Sequence, residues 1–111
     1  MTKNKFSILD KLIAFNGSIP KLKEELIKLS WDGPIVITLT KQHLESIVDR
    51  FIHNKISEHD LIEWANMIEC REDIAFENLY KDQIQEFIFN IANPDLDGFE
   101  YIKNLHKTKL F

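Results

Sequence analysis

Between Glu63 and Glu77 the chain reads EWANMIECREDIAFE, with one tryptophan, one cysteine, five acids and a single base, Arg71. With His59 and Asp60 just upstream, these are the residue types from which a metal site, a thiol nucleophile or an acid–base pair is built. Each possibility has a spacing requirement. A zinc-binding helix of the HExxH kind needs two histidines four residues apart on one face, and Glu63 stands where the second would be. His59 and Glu63 alone describe a solvated helix face. Cys70 has no histidine beside it, and Glu69, Glu72 and Asp73 disfavour a thiolate, so it is not read as a nucleophile. Asp95-Leu96-Asp97-Gly98 resembles the opening of a calcium loop, which requires glycine at the sixth position and glutamate at the twelfth. Here glycine is fourth and the twelfth residue is His106. A turn accounts for it better. Carboxylate pairs are plentiful, but nothing singles one out as general acid and base. No glycine-rich phosphate loop and no GxSxG is found. The chain is read as neither an enzyme nor a metal or cofactor carrier, with no catalytic residue and no small-molecule substrate.

What remains is binding, and the charge distribution gives it a direction. Residues 1–57 hold nine Lys/Arg against six Asp/Glu; residues 58–102 hold two against twelve; the last nine add three lysines, for a net charge of -4. A middle this acidic repels nucleic acid and attracts basic partners. Solubility alone does not require twelve acids against two bases. Asp60, Glu63, Glu69, Glu72, Asp73 and Glu77 are the expected contact carboxylates, gathered around Trp64 and Arg71. A tight complex also needs a buried anchor, for which Met67, Phe76 and Tyr80 are the candidates. Trp64 itself shares a stripe with Leu61 and Ile68, so it is expected in the core.

The elements that must position these residues are read from periodicity. The chain has 111 residues, the usual size of one domain, and is 44% hydrophobic. Three glycines and three prolines argue against a turn-rich β architecture. One cysteine excludes an internal disulfide and suits a reducing cytosol. Asp10 and Lys11 interrupt the apolar run that a signal peptide needs. No segment approaches the ~20 apolar residues of a membrane span, so a cytoplasmic protein without membrane contact is expected.

Phe6, Leu9, Leu12 and Ile13 predict a first helix after Ser7, a possible N-cap, stopped by Asn16-Gly17. Ser18 and Pro20 open a second helix carrying Leu22, Leu26, Ile27 and Leu29, which ends before Trp31-Asp32-Gly33-Pro34 because Gly33 and Pro34 break the pattern. Residues 34–40, PIVITLT, are the one strand candidate. With no second strand to pair, the segment is expected to run extended over the core. Thr40 caps a third helix with Leu44, Ile47, Val48 and Phe51 inward, ending near Asn54. Ser57-Glu58-His59-Asp60 starts a fourth. It buries Leu61, Trp64, Ala65 and Ile68 and shows His59, Asp60, Glu63, Asn66, Met67 and Cys70. A fifth runs from about Lys81 to Ala92 with Ile84, Phe87, Ile88 and Ile91 inward, stopped by Asn93-Pro94. A turn over 95–98 and a short last helix carrying Phe99, Ile102 and Leu105 complete the reading. The fold class is all-α: a compact single-domain bundle over residues 1–111, of five to six helices with one extended segment near 34–40.

The segment LTKQHLESIVDRFIHNKISEHDLIEWANMIECREDIAFE, residues 39–77, resembles a family of short bacterial proteins encoded beside polymorphic toxins. The matching positions are Arg50-Phe51, Ile56-Ser57, Asp60-Leu61, Trp64-Ala65, Ile68-Glu69, Arg71 and Glu72-Asp73-Ile74, about a third of the chain. The resemblance implies a contact-dependent growth inhibition (CdiI-type) immunity protein, which stays in the cytosol and neutralises the toxic C-terminal domain delivered by a sibling cell. It also implies that Trp64, Arg71 and Asp73 define the fold. Many such toxin domains are nucleases, which must be basic where they grip phosphate. The expected function is therefore one-to-one binding of a cognate nuclease toxin domain, an RNase, whose basic groove is covered by the acidic region 58–86. The rival is an acidic adaptor or anti-regulator with another basic protein partner.

Overall fold

The computed structural model describes residues 5–29, 33–94 and 102. Five helices lie in this part of the chain: α1 (Lys5–Ile13), α2 (Ile19–Leu26), α3 (Lys41–Ile52), α4 (Glu58–Glu69) and α5 (Lys81–Ala92). Two short strands, β1 (Ile37–Leu39) and β2 (Ile74–Phe76), accompany them. The mainly helical bundle agrees with the expected class. The turn over 95–98, and Phe99 and Leu105 of the expected last helix, fall outside the described residues. Ile102 is described; it is helical and buried in the core.

Local chemistry explains most of the helix ends. Ser18 accepts from the Lys21 N–H at 3.4 Å and Ser57 from the Asp60 N–H at 3.1 Å, as N-caps do. Thr40 and His43 form a reciprocal capping box at the head of α3, with His43 Nδ1 accepting from the Thr40 N–H at 3.0 Å. α1 and α3 both end in a Schellman turn. Asn16 and Lys55 donate back to Lys11 and Arg50, leaving Phe15 (φ 49°) and Asn54 (φ 62°) left-handed. A phenylalanine in that region is strained, and tertiary contacts hold it. Arg50 donates to the Phe15 and Ala14 carbonyls at 3.0 and 2.7 Å, and the Trp64 ring stacks on Phe15 at 6.0 Å.

Three expectations need correction. Ser7 is not the N-cap of α1, because the helix is already running at Lys5. Phe6 and Ile27, counted in the apolar spacing of the first two helices, are 54% and 83% exposed; Ile27 follows the last residue of α2, where the periodicity no longer applies. The extended segment does have a partner. Ile37, Thr38 and Leu39 pair in parallel with Ile74, Ala75 and Phe76. The Asp73 carbonyl opens the ladder by accepting from the Val36 N–H at 2.8 Å, and Leu39 closes it by accepting from Glu77 at 3.0 Å. Parallel strands need a long crossover, which α3 and α4 supply.

One contiguous core joins all these elements. Leu9, Leu12, Leu39, Leu44, Ile47, Leu61, Trp64, Ala65, Ile84, Phe87 and Ile91 are completely buried within it. Trp64, the largest, donates its indole N–H to the Leu12 carbonyl at 2.6 Å, which ties α4 to α1 and satisfies its one polar atom. The expected core role of Trp64 is what the structure shows.

Candidate functional site

The nine expected contact residues do not form one face. α4 separates them, because its buried stripe of Leu61, Trp64, Ala65 and Ile68 leaves two flanks. On the flank toward α2, Glu63 and Met67 line a groove with Lys23, Leu26, Ile27, Leu29, Asn66, Cys70 and Arg71, whose side chain also borders the groove on the other flank. Glu63 is not free there. Lys23 Nζ lies 2.8 Å from its Oε2, and His59 Nε2 lies 3.9 Å from its Oε1. The hydrogen bond from Lys23 holds the Glu63 carboxyl below the usual range, against the opposing effect of burial. Such a pair at the surface contributes only ~0–1 kcal/mol and cancels most of the local charge. Cys70 is exposed at the C-cap of α4.

On the flank toward α5, Glu69, Glu72 and Phe76 come together. They line a second groove with Arg71, Ile68, Ile74, Gln85, Ile88 and Phe89. Glu69 accepts from Asn93 Nδ2 at 3.1 Å, a neutral partner that leaves its charge in place. Glu72 is exposed and has no ion-pair partner among the described residues. The sequence reading missed Phe89, which is 48% exposed. Its signal was present: it falls outside the Ile84/Phe87/Ile88/Ile91 stripe, so an α5 helix had to turn it outward.

Glu77 and Tyr80 stand apart from both grooves, because the parallel strands deliver Glu77 to the head of α3. Glu77 Oε1 accepts from the Lys41 N–H at 3.0 Å, and Lys41 Nζ lies 4.9 Å from the centre of the Tyr80 ring. A carboxylate at a helix N-terminus satisfies an orphan donor and is attracted by the positive end of the helix dipole, so Glu77 supports the fold. Asp60, partly exposed in the first turn of α4, has no cation partner among the described residues.

Asp73 is the clearest correction. It was expected as a contact carboxylate and, through the family resemblance, as a fold-defining residue; it is completely buried, which agrees with the second expectation and not the first. Arg71 Nε and Nη2 donate to its two oxygens at 2.9 Å each, and Lys5 Nζ approaches Oδ2 at 2.9 Å. Burial works against the charged carboxylate, yet the hydrogen bonds and charges of Arg71 and Lys5 prevail and keep its carboxyl below the ordinary range. The side chain thus joins α1 to the α4–β2 turn while the Asp73 carbonyl starts the sheet. Arg71 is correspondingly committed, its side chain only 6% exposed.

Among the described residues no three of His, Cys, Asp and Glu converge as metal ligands, and no helix is long and apolar enough to cross a membrane. The chain matches no protein-family model, no curated protein and no solved structure.

Proposed function

We propose that this chain is a cytosolic immunity protein that binds the basic nuclease domain of a cognate toxin one to one and has no catalysis of its own. The observation that carries the reading is uncompensated charge on folded elements. Glu58, Asp60, Glu72, Asp82 and Glu86 stand exposed or partly exposed on α4, α5 and the turn after α4, with no ion pair among the described residues. By contrast Lys11–Glu25 and Lys41–Glu45 pair their charges in the first half of the chain. Unpaired carboxylates on a rigid scaffold repel one another, a cost that a basic partner removes on binding. The same field speeds capture, which favours an inhibitor whose target damages nucleic acid while free. The resemblance of residues 39–77 to contact-dependent growth inhibition immunity proteins supports the same class of partner.

The test is growth rescue. The chain is co-expressed with the C-terminal domain of the protein encoded immediately upstream of it, and the two are run together on a sizing column. Restored growth and a 1:1 complex are expected. Continued death with both proteins soluble would refute the toxin reading and point to another basic protein.

A further inference from the structure

Two grooves flank α4, and their rims differ in charge. The groove toward α2 is rimmed by the mutually neutralising pair Lys23–Glu63. The groove toward α5 has a cavity of about 440 Å³, lined by Glu69 and Glu72 from the end of α4 and the turn after it, by Phe76 of β2, and by Gln85, Ile88 and Phe89 of α5. Its lining contains one base, Arg71, whose Nε and Nη2 are held by buried Asp73. The α5 side continues the acidity, because Asp82, Gln85, Glu86 and Phe89 follow i, i+3, i+4, i+7 spacing and are all exposed. The result is an apolar strip with carboxylates on both sides.

We infer that the groove between the end of α4, β2 and α5 seats a short amphipathic segment of a partner protein. One or two of its apolar side chains lie against Phe76 and Phe89, and flanking lysines or arginines reach Glu69 and Glu72 on one wall and Glu86 on the other. The stripe from Asp82 to Phe89 rises about 10 Å, which matches two turns of a helix or three residues of strand. The occupant is basic and apolar together, since the carboxylates reject an acidic segment and the aromatic lining gives a purely hydrophilic one nothing to bury. This inference rests on the reading of the chain as a binder of a basic protein, and names the place and the chemistry of contact.

The test measures affinity of the chain for the C-terminal domain of the protein encoded immediately upstream by titration calorimetry, and maps the interface by amide NMR. Phe89→Ala and Glu72→Lys remove exposed groups, so their helical spectra and melting temperatures should match the wild type. Each is expected to weaken binding at least tenfold, while Met67→Ala in the other groove changes it less than threefold. A wild-type complex that tolerates Phe89→Ala and Glu72→Lys would overturn the groove and leave the binder reading standing. If the wild type forms no complex, that reading falls, and the groove is judged with a 15-residue peptide of alternating lysine and leucine pairs. Saturable shifts confined to residues around Glu69, Glu72, Phe76, Gln85 and Phe89, absent with a glutamate-for-lysine peptide, would support it; shifts elsewhere, or none, would overturn it.

Discussion

Asparagine in place of Asp73 keeps the shape of the side chain and removes its charge, so it isolates the electrostatic part of the α1–turn junction. In the wild type both carboxylate oxygens are occupied, by two Arg71 nitrogens at 2.9 Å and by Lys5 Nζ at 2.9 Å, in a side chain with no exposure. Removing one partner of a buried pair costs roughly 3–5 kcal/mol, because the other charge is left uncompensated. Two features of this site place the expected loss at the lower end. Asparagine retains one oxygen to accept from Arg71, and Lys5, 26% exposed, can turn toward water. A loss of about 3 kcal/mol corresponds to a fall in melting temperature of ~12 °C for a domain of this length, measured by circular dichroism with a urea series to confirm the free energy. The pH dependence supplies an independent check. The folded carboxyl titrates below its ordinary 3.8. Between the two values the unfolded chain binds the proton and the folded chain does not. The contribution is complete above pH 3.8, is lost as pH falls toward the folded value, and should be missing from Asp73→Asn. A loss under ~1 kcal/mol, the scale of a surface pair, together with an unchanged acid limb would refute the buried-pair account.

Trp64→Ala should destabilise the fold by ~3–5 kcal/mol, since it empties a fully buried site. A well-folded variant that had lost only partner binding would move Trp64 to the interface. His43 is held below its ordinary 6.5 mainly by burial, which outweighs the opposing pull of Asp10 and Glu77. Its stabilising effect is therefore complete above pH 6.5 and declines as pH drops toward the folded value, where protonation of Nδ1 removes the acceptor for the Thr40 N–H. His43→Gln should flatten that part of the stability profile, and a ring-proton titration reads the shift directly. Glu77→Lys should lower stability by roughly 1–2 kcal/mol through loss of the α3 cap, whereas Glu63→Lys, which breaks only the Lys23 pair, should change it by less than ~1 kcal/mol. A Glu77→Lys melting curve identical to the wild type would return that residue to the contact list.

Much of the helical skeleton was legible because its signals are local. The stripes Leu44/Ile47/Val48, Leu61/Trp64/Ala65/Ile68 and Ile84/Phe87/Ile88/Ile91 are each read within one helix, and all of these residues are buried. Thr40 and Ser57 were recognisable as caps for the same reason: the hydrogen bond they make closes within three residues. β2 was not legible. Three residues, Ile74 to Phe76, are too few to show alternation, and they become a strand only because the crossover through α3 and α4 returns them to β1. The roles of the acids were hidden in the same way. Sequence gave their number and their crowding into residues 58–102, but a carboxylate on a solvated face and one held by Arg71 and Lys5 look identical along the chain. What separates Asp73 from Glu72 is the packing of α1 against the α4–β2 turn, an arrangement of residues 68 positions apart. The acidity of the middle of this protein was thus a property of composition. Which carboxylates build the fold and which face outward was decided by tertiary packing, because the burial and long-range partners that determine a charge's role exist only after folding.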